Sequence, residues 1–346
     1  MARALRAGRR RGRPGRAALR QAVPSHLVAL PRLLRGRLRR APDPGRPDPA
    51  RGPAVPWRGA PPRAARPADE RAGDDAAPRR RRTAHPPRGV SATGIAYDRT
   101  GTGPPVVLLH GLGGERQVWD GVVEHLRAER EVVTVDLPGF GASAPLAQDV
   151  VPTPAAIAEQ LARFLGEIGL ERPHVAGNSL GGWIALELAR RDVVASVTGL
   201  CPALWERPLP PKPFVMHRVA RTLRPALPAL MRTGLGRRAA LLGIVARPGD
   251  VSPQDALRVA SAYASAPAFA ATNRAMRSGH FTGGERIRVP VLLAWGELDR
   301  LVTPPARALV PRAVSITLPG CSHLPMLDDP ALSARTILRG SARTTG

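Results

Sequence analysis

The chain has 346 residues, a formal charge of +25, 39 prolines and two cysteines. This length allows one or two domains with ample core, two cysteines cannot build a disulfide framework, and no apolar run reaches the roughly 18 residues of a membrane span. The charge is uneven: residues 1–90 hold 24 arginines against six acidic residues, a net of +18, which leaves +7 for the remainder.

Residues 1–90 are Arg, Pro, Ala and Gly with almost no aliphatic periodicity, and the run Arg79-Arg80-Arg81-Arg82 lies near their end. Such a segment cannot bury enough apolar surface to offset the entropy of ordering, so a disordered tail is expected. Clustered arginine suits phosphate, which makes this tail the one feature fitted to nucleic acid. The single lysine of the whole chain, Lys212, points instead to a gene rich in G and C, whose upstream sequence would read the same way. A start assigned too far upstream is therefore the preferred reading, and no nucleic-acid partner is expected. Gln21, Pro24, His26, Pro31 and Arg32 interrupt any signal-peptide core, and a cytoplasmic location is the expectation.

From about Ser91 short apolar runs alternate with amphipathic stretches. Val106 to Leu109 and Val132 to Val135 are β-branched runs suited to buried parallel strands, with a helix over Gln117 to Arg127 between them. Helices follow at Pro154 to Ile168 and Gly182 to Arg190, with strands at His174 to Ala176 and Val193 to Leu200. The alternation stops over residues 203–285, where repeated prolines break a helical pattern. It resumes with a strand at Val289 to Trp295, a helix at Pro304 to Val310, a strand at Ala313 to Leu318 and a helix from Asp329 to Arg339. This order predicts an α/β fold with a doubly wound, mostly parallel sheet, formed by residues 91–202 and 286–346, and a helical lid inserted at 203–285.

Between the third of these strands and its helix lies Gly177-Asn178-Ser179-Leu180-Gly181, a G-x-S-x-G elbow that raises a serine on a tight turn. A serine nucleophile needs a base, and the base needs an acid. Gly320-Cys321-Ser322-His323 and Gly296-Glu297-Leu298-Asp299 each follow a predicted strand, so Ser179, Asp299 and His323 come in order on one edge of the sheet. Glu297 is the weaker candidate for the acid because it sits nearer the strand. His110-Gly111-Leu112-Gly113-Gly114 follows the first strand and lacks the Gly-Lys-Ser/Thr ending of a phosphate loop. The N–H groups of Leu112 and Leu180 are the predicted donors to an oxyanion.

These stretches, with Asp136-Leu137-Pro138-Gly139-Phe140-Gly141 and Val302-Thr303-Pro304, resemble the α/β-hydrolase superfamily, in particular its capped members, over residues 91–346. The resemblance implies a serine hydrolase, esterase-like, with catalytic Ser179, Asp299 and His323. The superfamily also contains members that turn the same triad to carbon–carbon bond hydrolysis, lyase or perhydrolase chemistry, and members that only bind ligands. Ser179 argues against the haloalkane dehalogenase and epoxide hydrolase branches, whose mechanism forms an alkyl ester on a carboxylate.

The expected chemistry is hydrolysis of an ester or similarly activated acyl compound through an acyl-enzyme. No cofactor and no metal is expected, since no His, Cys or Asp cluster has ligand spacing. The partner is a small-molecule acyl substrate. Phe214, Met216, Leu230, Met231, Leu241, Leu242, Tyr263 and Phe269 are candidates for the acyl pocket, and Arg218, Arg221, Arg224 and Arg232 for attracting a carboxylate.

Overall fold

In a computed structural model that describes residues 88–210 and 215–342, eight strands form one sheet in the order β1-β2-β4-β3-β5-β6-β7-β8. The expectations for residues 1–87 and for Phe214 lie outside the described residues. Strands β1 (Arg88–Val90) and β2 (Ala96–Thr100) pair antiparallel at one edge, and β2 pairs antiparallel with β4. From β3 (Pro105–Leu109) and β4 (Glu131–Val135) through β5 (His174–Asn178), β6 (Ser196–Leu200), β7 (Val291–Gly296) and β8 (Val314–Leu318) every neighbouring pair is parallel. A short 3-10 turn leads into α1 (Asp120–Leu126), which connects β3 to β4; α2 (Pro154–Glu167) returns past β3 to β5, and α3 (Leu180–Arg190) leads to β6. The winding direction thus reverses between β3 and β5, and at such a switch point the loops beyond the strand ends part to leave a crevice.

Both faces of the sheet are apolar, yet alternate residues serve different cores. On one face Val107, Leu109, Val133, Val135, Val175 and Leu293 pack with Ile157, Leu161 and Phe164 of α2 and Trp183 and Ile184 of α3. On the other, Val106, Leu108, Val132, Ala176 and Ala294 pack with Val122 and Leu126 of α1 and Ala334 and Ile337 near the carboxyl end. The period of two in a strand makes one run of β-branched and aliphatic residues fill two layers.

Between β6 and β7 the chain forms α4 (Val215–Thr222), α5 (Leu227–Arg232), α6 (Gly234–Leu241), α7 (Pro253–Ser265) and α8 (Phe269–Ser278), with a separate core of Leu227, Met231, Leu241, Val245, Ala256 and Ala264. After β8 come α9 (Pro325–Asp328) and α10 (Pro330–Ser341). Three helices begin on the same device, a capping side chain followed by proline: Thr153 before Pro154, Ser252 before Pro253 and Asp329 before Pro330, each accepting a backbone N–H of the first turn. Proline costs nothing at that position because its missing N–H would have had no helical partner.

Two sequence expectations need correction. Residues 304–310 form bends and irregular chain and not a helix. Pro305 bars Pro304 from helical backbone, and Pro311 closes the segment before a second turn could form. The sheet also begins at Arg88, three residues before the expected boundary, because β1 and β2 add an antiparallel edge that no apolar run announces.

Candidate active site

The elbow forms from sterics. Ser179, between β5 and α3, has φ 53° and ψ −115°, a conformation that side-chain-bearing residues rarely adopt. A Cβ on Gly177 would run into the Gly181 carbonyl, one on Gly181 into the Leu109 carbonyl, and one on Gly182 would lie 2.7 Å from the Pro202 Cβ. Only glycine lets β3, β5, α3 and the chain after β6 approach this closely. The Ser179 N–H donates to the Leu200 carbonyl at 3.1 Å, and the Ser179 carbonyl accepts from the N–H groups of Gly182, Trp183 and Ala203, which pins the turn from both sides.

Asp299 and His323 meet on the loops after β7 and β8. Their side chains are nearly fully buried, and His323 Nδ1 lies 2.8 Å from Asp299 Oδ2. The other oxygen, Oδ1, accepts the N–H groups of Leu301 at 2.8 Å and Val302 at 3.0 Å. Burial alone would push the Asp299 carboxyl up; the hydrogen bond and charge of His323 and the two N–H groups outweigh it and hold the carboxyl below its usual range. Glu297 is engaged elsewhere, its Oε2 accepting the Gly320 N–H at 2.8 Å. Asn178, next to the serine, donates from Nδ2 to the His323 carbonyl at 2.9 Å and to the Leu200 carbonyl at 3.0 Å, and so joins the elbow to the histidine loop.

The glycine loop after β3 lies against the elbow, since a Cβ on Gly111 would stand 3.2 Å from that of Ser179. Leu180 opens α3, and the first N–H groups of a helix have no acceptor within it. Loop shape is held by His110, a residue whose role the sequence does not reveal. Its Nε2 accepts the Leu137 N–H at 3.0 Å, which assigns the proton to Nδ1, 2.7 Å from the Gly111 carbonyl. Burial lowers its pKa and keeps the ring neutral. Asp136, fully buried, likewise binds the chain around itself: it pairs with Arg116 and accepts the N–H groups of Arg116 and Ala142.

Over this loop sit aromatic residues of the inserted helices. A Cβ on Gly113 would stand 2.8 Å from Tyr263 Cδ2 and 3.2 Å from Phe269 Cδ2. His217, from α4, stacks on Phe269 at 4.4 Å and meets Tyr263 edge-on at 5.3 Å; its burial and the nearby Arg221 charge lower its pKa. Under this cover Ser179 and His323 are buried, at 8% and 4% exposure.

Of the expected acyl-pocket residues that the structure describes, only Tyr263 and Phe269 lie by the glycine loop after β3. Met231 and Leu241 fill the core of the insert, while Met216, Leu230 and Leu242 are exposed to solvent. Helical spacing does not tell which helix faces inward. Nor does spacing in sequence show that Cys201, after β6, brings its sulfur together with donor atoms of Asp299 and His323 within 4.8 Å. Burial, and then Asp299, raise the Cys201 thiol so that it stays protonated. Cys201 and Cys321 are both free and buried.

A doubly wound sheet, a strained serine at its switch point and an Asp–His pair on the following loops define the class. The chain belongs to the alpha/beta hydrolase family, whose model matches residues 106–336. It is 30% identical to a pimeloyl-[acyl-carrier protein] methyl ester esterase of Aeromonas salmonicida over 68% of this chain and 94% of that one. It is 34% identical to the epoxide hydrolase EphH of Mycobacterium tuberculosis over 51% of this chain and 89% of that one. Among solved structures, a bacterial membrane phospholipase A matches with a TM-score of 0.57 and 26% identity over 72% of this chain and 83% of that one. No helix among the described residues is long and apolar enough to cross a membrane.

Proposed function

We propose that this hydrolase cleaves a carboxylic ester through an acyl-enzyme on Ser179. The observation that carries the reading is the serine at φ 53°, tied through Asn178 to a loop on which His323 is already paired with Asp299. Ser179 Oγ attacks the ester carbonyl as His323 Nε2 takes its proton, while Nδ1–H stays on Asp299, which orients the ring and stabilises its charge. The developing oxyanion is received by the N–H groups of Leu112 and Leu180. His323 returns the proton to the departing alcohol, then removes one from water, and the hydroxide releases the acid and restores Ser179.

One of the similar proteins carries ester hydrolysis in its name and another is named a phospholipase A, which supports an ester here. The epoxide hydrolase among the relatives does not redirect the reading, because opening an epoxide through a covalent ester needs a carboxylate where this chain has Ser179. The helical insert acts as a lid: Tyr263 and Phe269 offer an apolar wall above the oxyanion loop, suited to an acyl chain. A series of p-nitrophenyl esters of increasing acyl length tests the proposal. Turnover should depend on chain length and vanish in Ser179→Ala with the fold intact by circular dichroism. Turnover retained in that variant would overturn it.

A further inference from the structure

The outer face of α4 has the wrong polarity for a surface exposed to water. Val215, Val219 and, just past the end of α4, Leu223 recur every four residues, and with Met216 they form one arc. Their exposures are 56%, 41% and 43%, and Met216 reaches 67%. Turned inward are the buried His217 and the partly buried Ala220, which packs on the core of the insert. The helix is therefore amphipathic with its apolar arc outward. The insert as a whole carries seven of the twelve exposed large hydrophobic residues among the described residues, the others being Leu230, Leu235 and Leu242 of α5, α6 and the turn after it.

Charge says what covers this face. Between Arg207 and Gly249 the sequence has nine basic residues and no Asp or Glu. Arg218 and Arg221 flank the apolar arc, Arg224 follows it, and all three are exposed. A second copy docked face to face would set these arginines against their equivalents, and residues 1–90, with net charge +18, carry the same sign. The occupant must be apolar and negatively charged together. We propose that α4 docks this protein on an anionic lipid surface, the apolar arc entering the acyl boundary and the arginines meeting headgroup phosphates. This goes beyond the ester chemistry and does not depend on it.

The test uses the full chain and sedimentation with vesicles of phosphatidylcholine alone or mixed with phosphatidylglycerol. Since the basic tail adds its own attraction, wild type is compared with two full-length variants, Val219→Ser with Leu223→Ser, and Arg218→Gln with Arg221→Gln and Arg224→Gln. Wild type should partition onto the mixed vesicles and far less onto phosphatidylcholine. Each variant should partition about tenfold less or weaker, and the Val219–Leu223 pair should leave turnover of a short soluble ester unchanged. The Val219–Leu223 pair should keep its deficit at raised salt, where the tail is screened. Partitioning equal to wild type in both variants overturns the proposal. So does failure of wild type to bind the mixed vesicles, whether the face then drives self-association or binds an acidic protein instead.

Discussion

Asn178 Nδ2 donates to the His323 carbonyl at 2.9 Å across 145 residues of chain, so the residue before the strained serine holds the loop that carries the histidine. Sequence separation is large, yet the two loops are coupled by one buried amide. Replacing it with a side chain that cannot donate leaves the Leu200 and His323 carbonyls without this donor.

Asn178→Leu is therefore expected to lower kcat by about ten- to a hundredfold, since small misplacements of reacting groups are costly. An unsatisfied buried group costs about 1–3 kcal/mol, so Tm should fall as well. Steady-state kinetics with a thermal melt checks both; a fall in Tm with kcat unchanged would make the link purely structural.

The two carboxylates after β7 should separate cleanly by mutation. Asp299→Asn is expected to cut kcat by roughly 10³- to 10⁴-fold, because the amide favours the wrong imidazole tautomer. Glu297→Gln, which alters only an acceptor for the Gly320 N–H, should remain within about threefold of wild type, as exposed substitutions usually do.

The lowered pKa of Asp299 has a consequence for stability. The unfolded chain binds this proton first, near the reference value of about 3.9, so the stabilisation is fully present above that pH and is lost as pH falls through the lower folded value. Urea melts across the acid range should find the gap in stability between wild type and Asp299→Asn widest near neutrality and narrowing below about pH 4. A gap independent of pH would contradict the assignment.

Two glycines offer opposite outcomes. Gly181→Ala drives a methyl into the Leu109 carbonyl and should destabilise by more than about 1–3 kcal/mol, with loss of activity. Gly166 in α2 is exposed, has open space around it and ordinary helical backbone; Gly166→Ala should stabilise by about 0.5–1 kcal/mol. Thermal melts of the pair check this contrast.

Much of this arrangement can be read before folding. The runs Val106 to Leu109 and Val132 to Val135 become β3 and β4, and the elbow, acid turn and histidine turn all lie at carboxyl ends of strands, because buried parallel strands and tight glycine turns leave strong local marks. What is not legible depends on partners far away in sequence. His110 as the clamp of the glycine loop after β3, Asn178 as a tie and Cys201 beside Asp299 each need the fold to bring their neighbours. The strand Ala96–Thr100 is hidden because its half-buried polar residues pair at the sheet edge. The outward arc of α4 is the reverse case, a periodic apolar pattern that the structure leaves exposed.

Covalent acylation of Ser179 is the event on which the proposed ester hydrolysis turns. Treatment of the full chain with a fluorophosphonate, followed by proteolysis and mass mapping, measures this directly. A single stoichiometric adduct on Ser179 is the predicted result, absent from Ser179→Ala and slowed in Asp299→Asn. An adduct on another serine, or full ester turnover by an enzyme that takes no label, would contradict it.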